Sequence, residues 1–508
     1  MKILSVNQIR EADKYTIECE PITSIDLMER AAVACANWIV EHYDTNITFT
    51  ILCGLGNNGG DGLAIARLLA EKNYRIKIVI IRYSETTSEN FTINLKRISN
   101  FENVSIKEIN KSVDIALLGI EGAGNNPVFI DAVLGSGINR PVDGLIAEVI
   151  SLVNQFHIHR VISIDVPSGL FVDSLNDQND VIIRADNTLS FQYPKLSFMF
   201  PEIAEYIGVF SVLDIGLNSS FTNQTQTKNY FITKTAVRSF LKPRSKIAHK
   251  GNFGHALIVA GAYGKMGAAV LAAKACMKTG AGLVTSYIPK CGYEIMQTAL
   301  PEAMTAVDSE MNFISDNIRL EKYNAIAIGP GIGLEKQTQN VVKLLIQNSP
   351  VPIVFDADAI NCIAENKTWL SFVPPGSIFT PHPKEFERLT GKAKNSEERL
   401  SMQKEFSLKY NIYIVLKGAR TSISCPDGTV YFNSTGNPGM ATGGSGDALT
   451  GIITSLIAQG YSSEQSCILG VYLHGLAGDF AAHNLSEESM IASDIIDHLS
   501  DAFKFIKE

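Results

Sequence analysis

The chain is poor in several things. Of its 508 residues only 2 are Trp, and Lys plus Arg (44) fall short of Asp plus Glu (52), which leaves a net charge of −8. No cluster of basic residues stands out, and this argues against nucleic acid, whose phosphates are held by grouped Lys and Arg. The 8 cysteines are scattered (19, 35, 53, 276, 291, 362, 425 and 467), with no CxxC pair and no metal spacing. They read as small core residues in a reducing compartment rather than as disulfides or zinc ligands. No uncharged run reaches the ~18 apolar residues of a membrane span, and the opening MKILSVNQIREADKYT turns charged too early for a signal peptide. These absences predict a cytoplasmic protein with neither a nucleic-acid nor a membrane partner.

What is present is ordinary globular composition, 45% hydrophobic and 19% charged. The length suits two or three domains at ~150 residues each. Composition shifts at Asn218–Thr227, a polar stretch with no periodic pattern. It divides a first domain, 1–217, from a second, 230–508, with 218–229 as linker.

The richest stretch lies near the C-terminus, from Gly436 to Leu449, where Gly439, Gly443, Gly444 and Gly446 precede Asp447 and an apolar segment, Ala448 to Gln459, closed by Gly460. This is a glycine loop feeding a helix. Crowded backbone N–H groups and the positive end of the helix dipole make an anion site there, best suited to phosphate. A carboxylate beside bound phosphate repels it unless it has a task. The task inferred for Asp447 is to take a proton from a hydroxyl that attacks phosphorus. The plainer alternative, a helix cap, does not account for so many glycines.

The first domain opens with a helical region, 5–43. A strand, Ile47 to Cys53, leads through a glycine turn, Gly54 to Gly62, into a helix, Leu63 to Lys72, and a second strand, Arg75 to Arg82. Gly54, Gly56 and Gly59 satisfy the GxGxxG pattern of dinucleotide-binding dehydrogenases. Two features oppose that reading. Asp61 falls at the expected helix start, where it would repel a pyrophosphate, and the second strand ends in Arg82 instead of an acidic residue for a ribose. Further strands end in Asp131 (before Gly135, Ser136 and Gly137) and in Asp165 (before Pro167, Ser168 and Gly169), and a final strand pair, Asn187 to Gln192 and Ile207 to Leu213, flanks Tyr193-Pro194-Lys195. Ligands of open α/β sheets sit beyond the carboxyl ends of the strands. Asn57, Asn58, Asp131, Asp165 and Ser168 are therefore expected to share one site. Asn58, Asp131 and Ser168 offer hard oxygen donors for an alkali or alkaline-earth cation.

The second domain alternates strands and helices, so a mostly parallel sheet is expected. Its strand ends carry Gly329-Pro330-Gly331, Asp356-Ala357-Asp358, Pro381-His382-Pro383 and Lys417-Gly418. His382, held extended between two prolines, is either a surface loop residue or a ligand contact. Lys417 is expected to meet a phosphate. His474, in an apolar helical run, is expected to be a core residue.

Taken with their order, these motifs resemble a known family. GAYGKMGAA (261–269), GAGLV (280–284), IGPGIG (328–333), DADAIN (356–361), TPHPKEFERL (380–389), LKGART (416–421) and NPGMATGGSGDALTGI (437–452) resemble the ribokinase-like ADP/ATP-dependent NAD(P)H-hydrate dehydratases. GNNGGDG (56–62), DAVLGSG (131–137) and IDVPSGL (164–170) resemble NAD(P)H-hydrate epimerases. Leu134 stands where the epimerase motif usually has Phe, and Pro194-Lys195-Leu196-Ser197 lacks the glycine often seen after the lysine.

The resemblance implies an α/β protein, with an N-terminal Rossmann-like three-layer domain and a C-terminal ribokinase-like domain. It implies epimerisation of the R and S hydrates of NADH and NADPH (NADHX and NADPHX), and dehydration of the S form at the expense of ADP or ATP with Mg2+. Asp447 would be the dehydratase base, and Asp165 is the candidate acid/base of the epimerase. Lys417, Gly418, Ala419, Arg420, Thr421 and Gly446 would contact the nucleotide. Ala268, Gly331, His382 and Asp447 would contact the hydrate. Asn57, Asn58, Gly59, Gly60, Asp61, Gly135, Ser136, Gly137, Ile138, Asn139, Arg140, Pro141 and Asp165 would hold it in the epimerase site, with potassium on Asn58, Asp131 and Ser168. A homo-oligomer is expected. The alternative is a ribokinase-like kinase of a vitamin or sugar with an N-terminal ligand-binding module.

Overall fold

The protein is seen in a computed structural model that describes residues 1–99, 101–112, 114, 128–155 and 160–508. It packs as two compact units, one of residues 2–227 and one of residues 228–508 with Met1.

Among the described residues of the first unit seven strands form one sheet: β1 Thr48–Cys53, β2 Arg75–Ile81, β3 Val104–Ile109, β4 Val128–Ala132, β5 Arg160–Ile164, β6 Asn187–Phe191 and β7 Val209–Leu213. Their order is 3-2-1-4-5-6-7 and every pairing is parallel. The chain reverses its direction of winding between β1 and β4, the place where open α/β sheets bind ligands. The middle strands β1 and β4 are buried almost throughout, as both faces are covered. The strand β3 escapes the sequence reading because Val104 to Glu108 are largely exposed and polar residues interrupt the run.

The helical region expected over 5–43 is two helices, Val6–Cys19 and Ser24–His42. Pro21 cannot continue a helix, and Thr23 caps the second one in a reciprocal pairing with Asp26. The helix after β1 begins at Asn57, not Leu63, and runs to Glu71. Gly59, Gly60, Asp61 and Gly62 therefore lie within it. The reason is close packing. A Cβ on Gly59 would fall 1.9 Å from the Gly54 carbonyl oxygen, and one on Gly62 would fall 2.6 Å from the Ala132 Cβ. The polar stretch 218–227, patternless in sequence, holds a short helix, Ser219–Gln224, capped by Asn218.

The second unit has ten strands: β8 Asn229–Phe231, β9 His255–Val259, β10 Leu283–Ile288, β11 Met304–Val307, β12 Ala325–Ile328, β13 Ile353–Phe355, β14 Ile378–Phe379, β15 Tyr413–Leu416, β16 Ser422–Ser424 and β17 Val430–Phe432. Their order is 11-10-9-12-13-14-15-16-17-8. All pair in parallel except β15–β16 and β16–β17. The winding reverses between β9 and β12. The helices Met266–Thr279 and Ser445–Ala458 pack on each other at Gly451, where a Cβ would stand 2.1 Å from the Ala272 carbonyl oxygen. Among the described residues no helix is long and apolar enough to cross a membrane.

Candidate active sites

In the second unit the glycine loop ends at Gly444, whose φ of +89° only glycine adopts freely, and the helix starts at Ser445. Asp447 is thus in the first helical turn. Burial, then the Asp356 carboxylate, push its pKa up to about 7, with Lys417 opposing. A base poised near neutrality is what proton abstraction at physiological pH requires. Lys417 extends from the end of β15 so that its Nζ would stand 3.1 Å from a Cβ on Gly446, and it pairs with Asp356 Oδ1 at 2.9 Å. Burial works against its charge, but the carboxylates of Asp356, Glu385 and Asp447 outweigh burial and hold its pKa above the ordinary lysine value. Thr450, one turn beyond Asp447, donates to Asp356 Oδ2 at 2.8 Å. Asp356 is almost fully buried and joins the cation to the helix.

The other expected residues gather from neighbouring strand ends. The Lys417 amide donates to the Pro381 carbonyl at 2.9 Å, which brings His382 alongside. His382 has extended backbone, as its flanking prolines imply, and its Nδ1 accepts the Lys384 and Glu385 amides at 3.1 and 3.3 Å. It is therefore a helix cap, with Nε2 3.4 Å from Glu385 Oε1 and its side chain 45% exposed. Burial lowers its pKa in spite of Glu385. Gly331, at φ +65°, lies against Ala268, whose Cβ would be 3.2 Å from one on Gly331. Gly418 and Ala419 are exposed in the turn after β15, which Thr421 Oγ1 closes by donating to the Gly418 carbonyl at 3.0 Å. Arg420 lies in the same turn, half-buried, with its pKa lowered by burial.

Two residues of this site carried little signal. Asp356 ends a strand as Asp131 and Asp165 do, and the same logic applied to DADAIN would have found it. His474 is buried as expected, yet its Nε2 reaches the Ser445 carbonyl at 3.0 Å and Oγ at 3.2 Å. Burial, which outweighs its contact with the Ser445 carbonyl, lowers its pKa to about 4, so it is neutral and fastens the start of the helix. Nothing in an apolar helical run marks such a contact.

In the first unit Asp131, at the end of β4, is wholly buried. Its carboxylate accepts from Ser168 Oγ (2.6 Å), Ser168 N (2.8 Å), Ser163 Oγ (2.8 Å) and Val133 N (3.3 Å). Burial still raises its pKa despite these donors. Among the described residues it has no ion-pair partner. Ser168 Oγ accepts the Leu134 amide at 2.8 Å, and next to it a Cβ on Gly135 would lie 3.3 Å from the Asn58 Cβ. Asn58 Nδ2 is buried with no hydrogen-bond partner. An oxygen-rich set around a buried carboxylate fits a hard cation, which Asn58 would meet with its Oδ1 and not with the donor Nδ2. Asn57 and Gly137 are exposed, and Asn139, Arg140 and Pro141 continue outward on an exposed loop with Ser136 and Ile138 half-buried between.

Asp165 follows β5 with a φ of +65°, and the Val166 amide closes back on the Ile164 carbonyl at 2.9 Å. This is a γ-turn of the strained hand, and its neighbour repeats it. Gln192, after β6, has φ +55° and spans a Tyr193–Phe191 bond of 2.6 Å. Such strain costs about 1–3 kcal/mol and concentrates at functional positions. Lys195 holds both turns. Its Nζ, with no exposed side-chain surface, pairs with Asp165 Oδ1 at 3.0 Å and donates to the Phe191 and Tyr193 carbonyls at 3.2 and 3.1 Å. A charged residue inside FQYPKLSFMF was its visible signal, and the sequence reading gave it no role. Asp61 is buried, and burial first, then Asp165 and Asp13, raise its pKa well above the usual carboxylate range.

The fold and these sites together define a ribokinase-like phosphate-handling domain joined to a Rossmann-like domain. The family model described as NAD(P)H-hydrate dehydratase matches residues 256–501, and that of the YjeF-related protein N-terminus matches residues 24–197. The chain belongs to the bifunctional NAD(P)H-hydrate repair enzyme family. It is 35% identical to the bifunctional NAD(P)H-hydrate repair enzyme Nnr of Moorella thermoacetica over 525 residues, covering 100% of this chain and 98% of that one. It is 32% identical to the enzyme of the same name from Thermofilum pendens, covering 100% and 97%. The second unit is similar to the Bacillus subtilis ADP/ATP-dependent NAD(P)H-hydrate dehydratase co-crystallised with ATP/Mg2+, with 32% identity, a TM-score of 0.50, and coverage of 55% of this chain and 98% of that one.

Proposed function

We propose that this chain repairs hydrated nicotinamide cofactors in two steps. The first unit interconverts the R and S hydrates, and the second dehydrates the S hydrate with ADP or ATP as phosphoryl donor. The observation that carries the dehydratase reading is Asp447 in the first turn of a glycine-fed helix, with pKa near neutrality and an ammonium at Gly446 beside it.

In this reading Asp447 takes the proton of the substrate hydroxyl, and the oxygen attacks the terminal phosphorus of the nucleotide. Lys417 and the backbone around Gly443, Gly444 and Gly446 stabilise charge on the transferred group. The phosphate ester formed is a far better leaving group than hydroxide. The ring-nitrogen lone pair expels it as inorganic phosphate, and loss of a proton from the neighbouring carbon restores the double bond. ADP becomes AMP, or ATP becomes ADP. Mg2+ arriving with the nucleotide neutralises phosphate charge. Among the described residues no cluster of three acidic, His or Cys side chains forms a metal cage, which suits an ion held largely by phosphates. Gly418 to Thr421 would hold the nucleotide, and Ala268, Gly331 and His382 the hydrate.

For the first unit the reading places the hydrate over Asn57 to Asp61 and the 135–141 loop, with Asp165 as acid/base. Potassium would sit on Asn58, Asp131 and Ser168 and supply the positive charge that Asp131 lacks. The test is to add ADP or ATP to mixed hydrate epimers and follow the absorbance of regenerated NAD(P)H with release of phosphate. Complete recovery of both epimers is expected. A stable phosphoester in place of NAD(P)H would identify a small-molecule kinase instead.

A further inference from the structure

The helix Val6–Cys19 lies against the strand-end site of the first unit. Arg10 Nη2 is 3.5 Å from the Gly137 carbonyl oxygen and would be 3.2 Å from a Cβ there. One turn on, Asp13 is half-buried and close enough to Asp165 and Lys195 to feel both charges. Asp61, from the helix Asn57–Glu71, feels Asp13 and Asp165 in turn. Ala12, next to Asp13, is buried against Tyr193, whose carbonyl accepts from Lys195, so Asp13 and Asp61 lie beside the one carboxylate, Asp165, that pairs with this buried ammonium. The three carboxylates cannot all be ionised without leaving charge uncompensated, so the cluster retains a proton.

Epimerisation at a carbon bearing both a hydroxyl and a ring nitrogen needs one group to protonate the departing oxygen and another to deprotonate the entering one. We propose that Asp13 is the second acid/base residue of the epimerase site, acting with Asp165. This rests on the epimerase reading above. One carboxylic acid gives its proton to the hydroxyl, the C–O bond breaks with its electrons leaving on water, and the nitrogen lone pair forms a C=N bond. Water then adds to the other face, its electrons forming the new C–O bond and the C=N pair returning to nitrogen. Its proton passes to the other carboxylate. The reverse reaction exchanges the roles.

Asp13 fits better than Asp61. Burial and Asp165, against Lys195, bring its pKa to about 6, so it exchanges protons at working pH, and it has solvent contact to do so. Asp61 is more deeply buried, and burial above all raises its pKa well above the usual carboxylate range. The charged or titratable groups facing Asp13 are Asp165 and Lys195 from the strand ends, Asp61 from its helix, and Tyr193.

The experiment uses the full chain with excess nucleotide and mixed epimers. The S hydrate is consumed in a fast phase and the R hydrate in a slow phase limited by epimerisation. Asp13→Asn is expected to slow the slow phase by about 10²-fold or more, the usual worth of a general acid or base. The fast phase and the KM for hydrate stay within about threefold. The change of slow-phase rate between pH 5 and 7 disappears. Asp13→Glu, which keeps the carboxyl, retains an intermediate rate with a displaced pH profile, and it serves alone if the Asn variant does not fold. A slow phase within about twofold of wild type, or a loss that keeps the wild-type pH profile or falls on KM alone, overturns the proposal. Asp165→Asn separates the two claims. Loss of the slow phase there with Asp13→Asn unaffected sinks Asp13 and leaves Asp165, whereas an unaffected Asp165→Asn sinks the epimerase assignment itself.

Discussion

Lys417 Nζ stands 2.9 Å from Asp356 Oδ1, and Asp356 Oδ2 accepts from Thr450 at 2.8 Å. One carboxylate therefore ties the cation at the end of β15 to the helix that carries Asp447. Asp356→Asn keeps the shape but removes the charge that fixes Lys417. The expected result is a rise of about tenfold in nucleotide KM, equivalent to about 1.4 kcal/mol, with a modest loss of thermal stability. Titration of initial rate against ADP measures it, and an unchanged KM would contradict the positioning role.

Asp447→Asn removes the base and leaves the fold. Dehydration should fall by about 10²–10⁴-fold. Epimerisation, followed by resolving R and S hydrates chromatographically without nucleotide, should continue at the wild-type rate. Simultaneous loss of both in a folded variant would show that the two reactions share a site.

The same substitution should stabilise the ligand-free protein at alkaline pH. Asp447 has a folded pKa of about 7 against an unfolded value of 3.8. Between these values the native state binds more protons than the unfolded one, so stability falls as pH rises from about 4 to about 7. Below that window the carboxyl is neutral in both states and costs nothing, and above it the full penalty applies. The Asn variant should melt higher than wild type at pH 8, by an amount on the order of 1–2 kcal/mol once residual solvent contact is allowed for, and by almost nothing at pH 4. Paired melts at the two pH values check the sign.

A methyl group on Gly451 would strike the Ala272 carbonyl oxygen, a backbone atom that no rotamer change can move. Gly451→Ala should cost about 1–3 kcal/mol by overpacking. Dehydration should be lost on heating well before epimerisation, since the strain lies in the second unit. Residual activity of both reactions against preincubation temperature would show the split.

For potassium, the buried and unpaired charge of Asp131 leads to a specific expectation. Epimerase activity should rise with K+ at constant ionic strength. Asp131→Asn should flatten that response, because the site no longer attracts a cation. A variant that still responds as wild type does would place the ion elsewhere.

Much of this was legible in the residues. Strand ends bearing Gly, Asp or Lys are short-range patterns, and Asp447, Lys417, Asp131 and Ser168 were identified from them. The glycine loops misled on length. Gly59 and Gly62 were read as turn formers, but they lie inside a helix, because their missing side chains let it approach Gly54 and Ala132. A glycine needed for a turn and one needed for contact look alike in sequence.

The sequence by itself determined two α/β domains, the anion-binding loop with its carboxylate, and the family. The first two follow from local periodicity and spacing, which neighbouring residues encode directly, and the family from the resemblance of the motifs and their order. Only the tertiary structure decided which distant charges meet: Asp356 with Lys417, Lys195 with Asp165, His474 with Ser445, and Asp13 with Asp165 and Lys195. Chain separation hides such pairs, and their chemistry arises from burial and mutual charge, which exist only once the strands lie side by side.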